Sequence, residues 1–265
     1  MNPAHLPEGA RSALRGTDAV LSLVSRAAPA SLAEMPLGFD DPVHASQTTF
    51  RCVLDAMARP GRVQPLEAAT VEALRHPAAL SPAMAAALLT LTDADTRVLL
   101  HASLAQGGEL ASLEAFGRFH TGLVASESPA GVDFAFTRSN AMPETLLKAL
   151  RLGSDEVPQD GATLVIDAPF LLTVEEDGQG RARPPAHPED AELTPWVRLT
   201  GPGVQHAHGL AVGGLSLAFW RARAAMQPLF PRGVDLVFTS GTRIAAVPRS
   251  TTIEIAPAWG GPRGD

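Results

Sequence analysis

Residues 230–255 read Phe-Pro-Arg-Gly-Val-Asp-Leu-Val-Phe-Thr-Ser-Gly-Thr-Arg-Ile-Ala-Ala-Val-Pro-Arg-Ser-Thr-Thr-Ile-Glu-Ile. Within this stretch Val234–Thr239, Arg243–Val247 and Thr252–Ile255 are β-rich and nearly all apolar, and Ser240-Gly241 supplies a turn between the first two. Strands apolar on successive residues have no solvent face, so they belong in a sheet covered on both sides. A helical run over about 215–226 precedes them.

The same alternation extends toward the N-terminus. Asp41 can cap a helix with Pro42 in its first turn, and Phe50, Val53, Leu54 and Met57 recur at helical spacing until Pro60-Gly61. These four predict the buried stripe of an amphipathic helix. Ser81-Pro82 repeats the start signal ahead of the apolar run Met84–Leu91, and helices are expected over 109–119 and 143–152. Strands are expected at 97–101, 123–125, 132–136, 163–167 and 196–200. Helices alternating with buried strands indicate an α/β protein, three-layered, with a mixed sheet flanked by helices.

Residues 1–37, rich in Ala, Pro, Ser and Arg, read as a loosely attached extension. Residues 38–256 read as one α/β domain, and 257–265 as a frayed tail. A stretch rich in Gly, Pro and charge, Glu175–Pro195, reads as a protruding loop.

The chain has 265 residues, 45% of them hydrophobic, enough for a sizeable core. With 28 acidic against 21 basic residues the formal charge is −7, which argues against a nucleic-acid footprint. No run approaches the ~20 apolar residues needed to span a bilayer. The N-terminus lacks a secretory pattern, so a cytoplasmic location is expected. The single cysteine, Cys52, can make neither an internal disulfide nor a four-cysteine cluster. Lys148 is the one lysine, hence the one Schiff-base candidate, and Glu144 stands four residues before it as an ion-pair partner.

Several constellations could carry chemistry. Asp93 and Asp95, with Thr96 beside them, could hold a cation or orient a hydroxyl; the same residues also cap turns. His120, near a chain reversal, could act as an acid or base or bind an anion, or serve structure alone. Arg249, followed by three hydroxyl residues, could clamp a phosphate or a partner's carboxylate. Arg51 and Arg59, on or near the first helix, could contact anions or partners. His206 and His208 lack a third metal ligand and fit a glycine-flanked loop, and Gly201-Pro202-Gly203 lacks the third glycine of a dinucleotide fingerprint.

The order of these motifs resembles the PhnH family, a subunit of the bacterial carbon–phosphorus lyase system. The resemblance rests on Gly38-Phe39, Phe50-Arg51, Asp55–Gly61, Leu88–Thr96, Phe119-His120-Thr121, Leu199–Gly203 and Phe230–Ile255. It covers about residues 38–256 and leaves aside the N-terminal extension and the 177–195 loop. It implies a fold similar to pyridoxal-phosphate-dependent transferases but without that cofactor, and a homodimer when alone. It also implies assembly with the PhnG, PhnI and PhnJ subunits into a complex that forms ribose 1-methylphosphonate 5-triphosphate from ATP and a phosphonate. This chain is then expected to be an accessory subunit, holding neither cofactor nor metal. The residues expected to line any pocket are Asp93, Asp95, Thr96, His120 and Arg249, with Arg51 and Arg59 as further contacts. The alternative is a stand-alone enzyme, either a degenerate transferase of that class or a metal-dependent hydrolase.

Overall fold

The computed structural model describes residues 35–105, 109–174, 194–205 and 207–256. The N-terminal extension up to residue 34, most of the 175–195 loop, His206 and the 257–265 tail lie outside the described residues.

In chain order the elements are α1 (Pro42–Ala58), β1 (Gln64–Pro65), α2 (Ala68–Ala73), α3 (Pro82–Leu91), β2 (Arg97–Leu100), α4 (Glu109–Thr121), β3 (Val124–Ala125), β4 (Phe134–Arg138) and α5 (Pro143–Ala149). They continue with β5 (Thr163–Asp167), β6 (Leu171–Val174), β7 (Trp196–Thr200), β8 (His208–Val212), α6 (Leu217–Ala224), β9 (Asp235–Ser240), β10 (Arg243–Val247) and β11 (Thr252–Ile255). Both expected capping signals operate: Asp41 accepts from the His44 amide at 3.1 Å and Ser81 from the Met84 amide at 3.2 Å.

Seven strands form a mixed sheet in the order β1-β10-β9-β5-β4-β2-β3. Strands β9-β5-β4-β2-β3 are parallel, with β3 at one edge, and β10 and β1 add antiparallel at the other. Successive residues of each central strand enter opposite cores, as the two-residue period requires. Val98, Phe136, Val165, Val237 and Ile244 pack beneath α1, α3 and α4. Leu99, Ala135, Leu164, Ile166, Leu236 and Ala245 face the other side, against α5 and α6. This double coverage explains the unbroken apolar runs.

The second face is not covered by helices alone. Strands β11-β7-β8-β6 form a separate four-stranded antiparallel sheet, and its Val197, Leu199, Leu210 and Ile253 enter the same core as α5 and α6. The expected single sheet therefore becomes two. The turn 248–251 is the physical cause, because it carries β11 away from β10 and onto β7, with Thr252 opposite Thr200. His208, expected in a loop, opens β8.

Helix α1 also departs from expectation. It buries Ala45, Thr49, Val53 and Ala56, while Phe50 and Leu54 remain 50% and 56% exposed. Small residues on the inner face let the helix lie close on β10 and α3, where large side chains would hold it off.

Candidate functional site

The residues singled out in sequence fall in three places. In the first, Asp93 Oδ1 accepts from the Asp95 amide at 3.0 Å, while the Thr96 hydroxyl accepts from the Asp93 amide and donates to its carbonyl, both at 2.8 Å. This is a self-satisfied turn entering β2. Thr92 and Thr121 bring it beside the end of α4, their hydroxyls 3.1 Å apart. There His120 donates from Nε2 to the Pro36 carbonyl at 2.8 Å, with its ring edge-on to Phe116 and Phe119. Gly38, at φ +73°, lies so close that a Cβ would sit 3.0 Å from the imidazole. His120 thus pins the incoming chain, and Met35–Leu37 with Leu74–His76 line an open cleft of about 430 Å³ beside it.

In the second place, Arg249 serves the interior. Its Nε donates to Asp235 Oδ2 at 3.0 Å, joined there by Nη2, and its backbone amide donates to Oδ1 at 2.7 Å. Nη1 donates to the Pro158 carbonyl, and Nη2 to that of Gly161 at 3.3 Å. Both side chains of the pair are largely buried, 14% and 16% exposed. Arg249 is therefore a strut between β9, the 248–251 turn and the loop before β5, where sequence offered a clamp for a phosphate or a partner's carboxylate. In the third place, Arg51 is exposed on α1, and Arg59 pairs with Asp55 at the end of that helix.

The Asp93–Thr96 turn and the Arg249 strut both sit at the amino ends of the parallel strands. In open α/β sheets ligand crevices lie outside the carboxyl ends, at the point where the connections change direction. Here that point is β2, which pairs with β3 on one side and β4 on the other. Helix α4 leaves over one face and α5 over the opposite one.

A polar row not anticipated from sequence occupies those carboxyl ends. Arg138, Asp167 and Thr239 are register partners across β4, β5 and β9. Asp167 Oδ1 accepts from Ser81 Oγ at 2.6 Å and from Thr239 Oγ1 at 2.8 Å. Burial pushes the Asp167 carboxyl above its ordinary pKa, against the two hydroxyl hydrogen bonds and the positive charge of Arg138. At the end of β2, His101 Nδ1 accepts from the Ser103 amide at 3.2 Å and lies 2.9 Å from Ser103 Oγ. That oxygen accepts from the Arg138 amide at 3.2 Å and lies 3.2 Å from the Thr137 hydroxyl. Because Nδ1 accepts, the neutral ring carries its proton on Nε2. The arrangement orients an imidazole and two hydroxyls for hydrogen bonding or proton transfer. Its sequence signal is a polar residue closing an apolar strand, as in Leu-Leu-His, Phe-Thr-Arg-Ser, Val-Ile-Asp and Val-Phe-Thr-Ser.

Lys148 is exposed on α5 and makes no ion pair with Glu144. Among the described residues no three His, Cys, Asp or Glu side chains are grouped to hold a metal ion. Cys52 is half-buried, and burial pushes its thiol pKa up. No helix of the described residues is long and apolar enough to cross a membrane.

The most conspicuous surface lies on α1. Val43, Phe50 and Leu54, at intervals of seven and four, stand 70%, 50% and 56% exposed along one line of the helix. Exposed apolar side chains grouped in this way make a candidate association surface.

Residues 37–254 match the family described as bacterial phosphonate metabolism protein (PhnH). The chain is 32% identical over 216 residues to the alpha-D-ribose 1-methylphosphonate 5-triphosphate synthase subunit PhnH of Rhizobium meliloti (strain 1021), covering 82% of this chain and 94% of that protein. It is also 32% identical over 212 residues to a protein of Stutzerimonas stutzeri named as a C-P lyase subunit protein, HtxG, covering 80% of this chain and 87% of that one. With the match spanning both cores and both sheets, the chain belongs to the PhnH family of bacterial phosphonate metabolism proteins.

Proposed function

We propose that this chain is the PhnH subunit of a carbon–phosphorus lyase assembly. In this role it supports formation of ribose 1-methylphosphonate 5-triphosphate from ATP and a phosphonate, as an accessory subunit in the cytoplasm. The observation that carries the reading is the near full-length match to a protein named as that subunit, 94% of whose length is covered.

In this reading residues 38–256 act as one unit, PhnG, PhnI and PhnJ are the partners, and the chain alone is a homodimer. The α1 line of Val43, Phe50 and Leu54 supports association, since it offers apolar area that the fold itself does not cover. Arg51 and Arg59 flank that line, and Asp93, Asp95, Thr96 and His120 form a second candidate contact edge. A kinship of fold with pyridoxal-phosphate-dependent transferases is part of the same proposal, supported by the large mixed sheet with helices on both faces.

Co-expression of the tagged chain with PhnG, PhnI and PhnJ, followed by native mass spectrometry, tests the reading. A stable complex containing all four is the expected result. A tagged chain recovered only with itself overturns the subunit reading.

A further inference from the structure

Arg223, on α6, is 1% exposed, yet among the described residues no carboxylate lies within ion-pair distance of its guanidinium. Its Nη2 donates to the Pro248 carbonyl at 2.8 Å, and its Nε is buried without a partner among the described residues. The charges acting on it are Asp235, which favours its ionised form, and Arg249, which opposes it. Asp235 is already held by Arg249 through Nε, Nη2 and the backbone amide. Asp235 is thus bonded by Arg249 alone, and within this largely buried cluster the charge of Arg223 has no ion-pair partner among the described residues. Buried charges are retained when they are paired. A trapped water could accept from Nε but could not neutralise the charge, so the deficit calls for an anion.

Further donors surround the same turn. Thr251 is fully buried, and its Oγ1 has no partner among the described residues. Its backbone amide donates at 3.0 Å to the Pro248 carbonyl that also takes Arg223 Nη2, which places both residues around one oxygen. Ser250, half-buried, is next in the chain. Across from it runs the Gly201-Pro202-Gly203 turn, brought there by the pairing of Thr200 with Thr252. Gly201, at φ +118°, comes so near that a Cβ would lie 3.3 Å from the Ser250 carbonyl. The turn that sequence offered as a phosphate clamp and the Gly201-Pro202-Gly203 turn are thus neighbours, and the buried charge beneath them belongs to Arg223.

We propose that the Pro248–Thr251 turn, with Arg223 beneath it and the Gly201–Gly203 turn beside it, binds a tetrahedral oxyanion, a phosphoryl or phosphonyl group. Arg223 supplies the charge and Nε–H, and Thr251 and Ser250 supply hydroxyls. The site itself is argued from charge and hydrogen bonding; the choice of a phosphonate among the probes rests on the subunit reading.

The test is titration calorimetry of the full chain with inorganic phosphate, methylphosphonate and ATP, on the wild type and on Thr251→Val and Arg223→Met. Saturable binding of phosphate or methylphosphonate, weakened about tenfold or more in both variants, is expected. A response to ATP would assign the phosphoryl source to the nucleotide, and a response to methylphosphonate without ATP would assign the ligand to the phosphonate. Thr251→Val is close to isosteric and removes an unpaired hydroxyl, so it keeps the test decisive where Arg223→Met fails to fold. No binding by the folded wild type, or undiminished binding by Thr251→Val, overturns the proposal. Assembly with partner subunits is read separately by native mass spectrometry, so a chain that assembles but binds no anion counts against this site alone.

Discussion

Ser81 Oγ donates to Asp167 Oδ1 at 2.6 Å, joining residues 86 positions apart in the chain. The same serine caps α3, so one hydroxyl fixes both the start of that helix and the carboxyl end of the central strand β5. Thr239 completes the arrangement from β9 at 2.8 Å.

The Asp167 carboxyl is held above its ordinary pKa by burial. The folded state therefore binds this proton more tightly than the unfolded chain, and the contribution of Asp167 to stability falls as pH rises through its folded pKa. Asp167→Asn keeps an acceptor for both hydroxyls and removes the titration. Its unfolding free energy should equal or exceed that of the wild type at neutral pH, with the difference shrinking toward pH 4. Urea unfolding across that range checks this, and a variant that loses stability uniformly would contradict it.

Ser81→Ala should cost about 1–2 kcal/mol, through the lost cap and the lost hydrogen bond to Asp167. Hydrogen exchange should locate the loss in the first turn of α3.

Arg249→Ala leaves the Asp235 carboxylate largely buried and unpaired. A loss of about 3–5 kcal/mol follows, enough to unfold a marginal protein. Lysine at this position cannot reproduce the contacts to Asp235, Pro158 and Gly161, so Arg249→Lys should recover only part of the loss. Equilibrium unfolding of the two variants separates these outcomes.

Phe50→Asp and Leu54→Asp alter the exposed line of α1 and should change stability by no more than about 0.5 kcal/mol. Association should weaken, as measured by light scattering on the chain alone and native mass spectrometry on the co-expressed complex. Val53→Ala, on the buried face of the same helix, should do the opposite, costing about 1.5 kcal/mol in stability and leaving association intact.

His120→Ala removes the hydrogen bond to Pro36 and the ring packed on Gly38. Amide exchange at Gly38 and Phe39 should accelerate at a stability cost of about 1 kcal/mol. Unchanged exchange there would show that the incoming chain is held by other contacts.

Local chemistry made much of the fold legible from sequence. Asp41-Pro42 and Ser81-Pro82 mark helix starts because their side chains satisfy amides within three residues. Thr163–Asp167 and Arg243–Val247 declare themselves as doubly covered strands because every residue between two apolar faces must be apolar. The motif order from Gly38 to Ile255 carried the family. Tertiary structure decided the rest, because the deciding contacts join residues remote in sequence. Which face of α1 is buried depended on how close β10 and α3 let it approach, so Ala45, Val53 and Ala56 went inside and Phe50 and Leu54 stayed out. Whether β11 continued one sheet or began another depended on the direction of the 248–251 turn. Arg249 became a strut because Asp235, Pro158 and Gly161 were brought to it, while the buried charge without an ion-pair partner among the described residues fell to Arg223, a helix residue that no local pattern distinguishes.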